Sequence, residues 1–154
     1  MNGLSAVRGG YGLAQLTVPG VVGRVLGLRL DRAQRRVARV LGARHLTQAA
    51  LSAPAPTAAV LALGVEVDLL HSASMLGLAA FDRSQRRPAL TSAVVAAGFA
   101  AVGMRATREA RGRSQTPAPD GSPLELRDRC AERLAQVVVP GSLLAPDYHS
   151  LAAG

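Results

Sequence analysis

From Leu63 to Gly77 the chain reads LGVEVDLLHSASMLG, and inside that apolar run stand Glu66, Asp68 and His71. A charge taken out of water must be paired and hydrogen-bonded, or it costs far more than its neighbours can return. A fold that buries this segment therefore has to bring a base to it, and that demand constrains the rest of the chain.

Helical punctuation places the segment. Leu4 to Val18 is an apolar helical candidate containing Arg8, Tyr11 and Gln15, broken by Val18-Pro19-Gly20. VVGRVLGLRL follows as an interfacial piece. Asp31 is positioned to cap a helix, RAQRRVARVLGARHLTQAALSA, which the prolines of APAP (53–56) end. Thr57 caps the next, running to about Phe81. DRSQRRP (82–88) reads as a basic turn, and ALTSAVVAAGFAAVGM (89–104) as a helix without a charge. Residues 114–123 form a Pro/Ser/Gly linker. Ser122, Pro123 and Glu125 then carry a capping-box signature ahead of a helix with Leu126, Cys130, Leu134 and Val137 on one face. Pro140-Gly141 stops it, and the last residues are expected to be loose.

Composition says what surrounds these helices. Hydrophobic residues are 49% and charged residues 18%, below the roughly 25% of an ordinary soluble domain. Aromatics are 3%, with no Trp, too few large side chains for a conventional soluble core. All 18 basic residues are Arg, consistent with a GC-rich bacterial genome, and the net charge is +8. The excess sits in residues 1–113, a basic body that invites lipid headgroups or nucleic acid. The N-terminus lacks the basic-then-apolar order of a secretion signal.

A membrane span needs about 20 apolar residues. Residues 57–81 are long enough, but on an insertion scale their large apolar side chains contribute roughly −4 kcal/mol against roughly +6 for two central carboxylates. Alone the helix inserts poorly; insertion becomes plausible where the acids meet a base inside a bundle or are protonated there. A tight turn near Ala55 makes this helix and the preceding one antiparallel, so residues at equal depth have numbers summing to about 110. Arg44 falls opposite Glu66, with Asp68 within a turn and His45 and Gln48 close in depth. Asp68 and His71 share a face and Glu66 points about 160° from Asp68. One acid is therefore left to face the first helix, where Arg8 and Gln15 need partners. Arg44, His45, Gln48, Glu66, Asp68 and His71 are the expected internal polar cluster. It serves either packing specificity or a proton or ligand site.

Other chemistry finds little footing. Asp68 and His71 at i,i+3, with His45, could offer metal ligands, but no His-Glu-x-x-His and no Cys pair supports them. No triad order, dinucleotide loop or P-loop lysine is present. No metal, cofactor or catalytic residue is expected, and the chain reads as non-enzymatic. Arg32, Arg35, Arg36 and Arg39 form a basic helical stretch without stacking aromatics. It suits anionic lipid headgroups better than nucleic acid. Gly98 and Gly103, with Ala93, Ala96, Ala97, Ala100 and Ala101, make a small-residue surface for close helix contact or a homodimer. The positive-inside rule puts 24–39 and 83–87 in the cytoplasm and APAP outside. Four spans would then place RATREARGR outside, against the rule.

The pieces R-x-x-Y-G-L-A before Pro (Arg8 to Pro19), R-V-L-G-A-R-H-L-x-Q (Arg39 to Gln48) and V-D-L-L-H-S-x-S-M-L (Val67 to Leu76) resemble small uncharacterised integral membrane proteins of actinobacteria. The likeness covers about residues 4–104 and implies a four-helix membrane fold, with no activity to carry over.

The expectation is an all-α protein: a small membrane helix bundle of about four helices (1–113), followed by a flexible linker and a C-terminal amphipathic helix (114–154). It is an accessory component of the bacterial inner membrane. The alternatives are a proton-coupled carrier using Asp68, His71 and His45, and a soluble basic nucleic-acid-binding regulator.

Overall fold

A computed structural model describes residues 3–53, 55–112 and 119–139. Among them the protein is all α: α1 (Gly3–Thr17), α2 (Pro19–Val25), α3 (Arg32–Ser52), α4 (Ala58–Phe81), α5 (Arg86–Arg111) and α6 (Pro123–Val138). Half of the linker, residues 114–118, and the chain from Pro140 on lie outside the described residues.

Local chemistry sets the ends. Pro19 cannot continue α1 and instead opens α2 at its first position. Asp31 closes a full capping box with Gln34: its carboxylate accepts from the Gln34 amide at 2.8 Å, and the Gln34 side-chain oxygen accepts from the Asp31 amide at 3.0 Å. Between α3 and α4 the chain turns through Ala55, whose φ of +33° lies in the left-handed region. Thr57 then caps α4 by accepting from the Val60 amide, and Ser122 caps α6 by accepting from Glu125. Thr57→Ala should destabilise the fold by about 1 kcal/mol in thermal unfolding. In the α4–α5 turn Asp82 accepts from both the hydroxyl and the amide of Ser84, which holds its carboxyl below the usual carboxylate range.

Two elements differ from the sequence reading. Six helices stand where about four and a tail helix were expected, the addition being the short α2. And α5 is longer than 89–104 at both ends. Pro88 is its third residue, where no intrahelical amide bond is lost, and RATREAR continues the helix until Gly112 because Arg, Ala and Glu favour it.

The helices pack as two antiparallel pairs, α1 with α3 and α4 with α5, and α6 lies on α4. Backbone approach defines the first pair. A Cβ on Gly12 would sit 2.8 Å from the Gly42 carbonyl oxygen, and one on Gly42 would sit 2.6 Å from that of Gly12. Small side chains define the second. In α5 the buried residues are Ala89, Ala93, Ala96, Ala100, Gly103, Thr107 and Ala110, at spacings of four and three. They meet an α4 seam of Leu61, Val65, Asp68, Ser72 and Ala79. Thus Ala93, Ala96, Ala100 and Gly103 are consumed within the chain, while Ala97, Gly98 and Ala101 stay exposed.

The face of α6 that docks is not the one with the larger side chains. Ala131, Ala135 and Val139 are buried, with Ala135 and Val139 packed on Ala59, Ala62 and Leu63 of α4, whereas Leu126, Leu134, Val137 and Cys130 are exposed. Alanines let the two axes approach; leucines would hold them apart. Arg127 secures the contact by donating to the carbonyls of Leu51 (3.0 Å) and Ala55 (3.2 Å), at the end of α3 where carbonyls lack helical partners. Ala135→Leu should release α6, read as protease cleavage within residues 119–139. Leu134→Ser should leave it protected.

The interior is built mainly of alanine and valine, yet it also holds charge. The two largest fully buried side chains are Val65 and Asp68. Val7, Val40, Leu70, Phe81, Val94 and Val102 are exposed on the outside. Exposed hydroxyls on Thr17, Thr47, Ser74 and Thr91 each donate to the carbonyl four residues back. The helices α4 and α5 are each long and apolar enough to cross a membrane, with mean hydropathy 1.5 over their best windows, about one third of which is buried.

Candidate functional site

Where the two helix pairs meet, long side chains do what close approach does within each pair. Asp68 is fully buried on the α4 seam and receives two arginines. Arg8 of α1 donates to Oδ2 at 2.5 Å and Arg44 of α3 donates to Oδ1 at 3.1 Å. Arg44 also donates to the Val67 carbonyl at 3.0 Å. Both carboxylate oxygens are thus engaged, and one residue of α4 ties two helices of the other pair. The Arg8 side chain is 6% exposed and that of Arg44 23%.

An aromatic group covers the same junction. Tyr11, His45 and Phe99 form a triangle with ring centroids 5.2–5.8 Å apart, and the Arg8 guanidinium lies 4.8 Å above the Phe99 ring. The Tyr11 hydroxyl accepts from Gln15 at 3.0 Å. Phe99, alone in the charge-free run of α5, supplies the surface against which the α1–α3 pair rests.

Of the residues singled out from sequence, Arg44 and Asp68 meet directly. His45 stands beside them in the aromatic triangle, its Nδ1 buried without a hydrogen-bond partner. The Gln48 side-chain oxygen is likewise buried and unpartnered. His71 turns to α5 and pairs with the Ser92 hydroxyl at 3.0 Å. Ser72 beside it donates to the Ala93 carbonyl at 3.0 Å. Glu66 forms no ion pair among the described residues. It matches Arg44 in depth, but its direction, far around the helix from Asp68, takes it off the junction.

Sequence reasoning placed Arg8 only as a group in need of a partner, took Phe99 as a packing residue without locating its neighbours, and missed Ser92. The signal for Ser92 was its depth opposite His71 across the α4–α5 turn. For Phe99 the signal was its being one of two phenylalanines in the chain.

The chemistry open to this arrangement is narrow. Asp68 spends its acceptors on arginines, and no hydrogen bond among the described residues links it to His45 or His71. No three His, Cys, Asp or Glu side chains gather into a possible metal site among the described residues. Arg32, Arg35, Arg36 and Arg39 lie apart from the junction, exposed on the first turns of α3. No family model, curated protein or solved structure matches the chain.

Proposed function

We propose that this protein is a small multi-pass helical membrane protein of the bacterial inner membrane, with a non-enzymatic, accessory role. In this reading the Arg8–Asp68–Arg44 junction is its internal lock. The observation that carries it is a buried charged junction beneath an outer surface rich in large apolar side chains. A carboxylate and an arginine are buried where leucines would be in a soluble bundle, and valines and leucines face outward. Lipid is the environment in which both halves of that pattern lower the free energy. Hydroxyls folded back onto their own helix suit the same medium, since water is absent there.

The helices α4 and α5 would span the bilayer, at about 36–39 Å each for 24 and 26 residues. The less apolar α1 and α3 would enter beside them because Arg8 and Arg44 are paired with Asp68 there. Anionic headgroups would meet Arg32, Arg35, Arg36 and Arg39. The junction supports a structural role over a proton relay, because Asp68 is bonded to arginines instead of histidines. Nucleic-acid binding has less support, the arginines of α3 having no stacking partner.

Fractionation tests the reading. The expressed protein should stay with the membrane pellet through a carbonate wash and leave it only in detergent. Recovery in the soluble fraction would exclude the bundle in lipid and favour the basic soluble regulator.

A further inference from the structure

Folding gathers at one end of the bundle two basic segments that are far apart in sequence. The first turns of α3 carry Arg32, Arg35, Arg36 and Arg39, and the chain leading into them carries Arg24 and Arg29. The α4–α5 turn brings Arg83, Arg86 and Arg87. A hydrogen bond from the Gln34 side chain to the Gln85 side chain, 3.1 Å, joins the two segments. All nine arginines are exposed, and only Asp31 and Asp82 accompany them in these stretches. Asp31 is occupied in its capping box and Asp82 by Ser84.

The opposite end differs in kind. There α3 hands over to α4, α5 finishes with Arg105, Arg108 and Arg111, and α6 adds three arginines. These are interleaved with Glu109, Asp120, Glu125, Asp128 and Glu132. Arg127 pairs with Asp128, and Arg129 with Glu125. Arginines close to span ends set orientation, and the carboxylates count for little in that rule. By arginines, the first end has nine and the second seven, four in residues 105–113 and three on α6.

We infer that the nine-arginine end, Arg24 to Arg39 joined with Arg83 to Arg87, is the cytoplasmic face of the protein. It is seated on the anionic phospholipid headgroups of that leaflet, with α6 on the far side. The inference rests on the membrane reading above and adds a direction to it. It also removes the difficulty of RATREARGR: that segment is not a loop but, for the most part, the last two turns of α5, and it is outweighed by an end assembled from two segments. The arginine stems can lie along the apolar outer surface while the guanidinium groups reach phosphate.

The lone Cys130, exposed on α6, makes the test direct. A membrane-impermeant thiol reagent is applied to spheroplasts expressing the full chain. Three forms are compared: the natural chain, Cys130→Ala with Asp120→Cys, and Cys130→Ala with Ala33→Cys. Ala33 is exposed on the first turn of α3. Labelling of Cys130 or Asp120→Cys in intact spheroplasts is expected, with Ala33→Cys labelled at least tenfold more only after permeabilisation. The reverse pattern, or equal labelling of both ends in intact spheroplasts, overturns the inference. A carbonate-resistant pellet in the same cells separates that failure from failure of the membrane reading, which releases the protein into the soluble fraction. As a second measurement, glutamine at Arg32, Arg35, Arg36, Arg39, Arg83, Arg86 and Arg87 should expose Ala33→Cys in a substantial share of intact spheroplasts. Unchanged protection would overturn the causal role of the arginines.

Discussion

Asp68→Ala should cost about 3–5 kcal/mol, the largest effect of any single substitution in the chain. The change removes the acceptor of two arginines at once, leaving Arg8 buried without the carboxylate that answers its charge. Thermal unfolding of detergent-purified protein, or loss from the membrane pellet, reads the effect. Asp68→Asn keeps the shape and one acceptor but not the charge, and should fall between Ala and the natural residue. If Asp68→Asn instead left stability unchanged while abolishing a pH-dependent behaviour, a relay at this position would be the better account. Replacing Arg8 and Arg44 together with Asp68 by apolar residues of similar size should recover much of the loss, because a buried pair is costly chiefly when broken.

Gly42→Val should be nearly as damaging for a different reason. Even a Cβ at that position would stand 2.6 Å from the Gly12 carbonyl oxygen and 2.8 Å from the Leu16 amide nitrogen, both backbone atoms that no rotamer change can move. Relief requires α1 and α3 to separate, at about 1–3 kcal/mol for the first methyl group and more for the branched side chain. Gly10 lies on the exposed side of α1 with nothing within 4 Å of an added Cβ. Gly10→Ala should therefore stay within about 0.5 kcal/mol of the natural protein or stabilise the helix. Thermal midpoints of the two variants side by side separate the contact from the general effect of changing a glycine.

Whether the amino-acid sequence announces a feature depends on the range of the interaction that decides it. Helix ends are local. Asp31, Thr57 and Ser122 each satisfy an amide three residues away, and their positions follow from that alone. The depth of Arg44 against Asp68 follows from one turn and a fixed rise per residue. What depth cannot supply is direction around the helix. Glu66 and Asp68 differ by two residues, and only the packing of α5 against α4 decides which of them faces the other pair. Arg8 was harder still, lying 60 residues from its partner with no turn to set its register. On α6 the leucines carry the stronger periodic signal, but close approach favours the alanines, and the amphipathic pattern alone does not reveal that preference.

The junction at Asp68 also has a place in time. Synthesis runs from the N-terminus, so Arg8 and Arg44 are made before the carboxylate that both require. Until Asp68 emerges, the α1–α3 pair can close on its glycines but lacks the carboxylate its two arginines meet, and under the membrane reading proposed above it would be a poor candidate to enter a bilayer alone. The arrival of α4 completes it, and α4 in turn carries an acid that inserts poorly without arginines waiting. Each half is held back by the charge the other cancels. The two helix pairs are thus expected to be stable together and not apart.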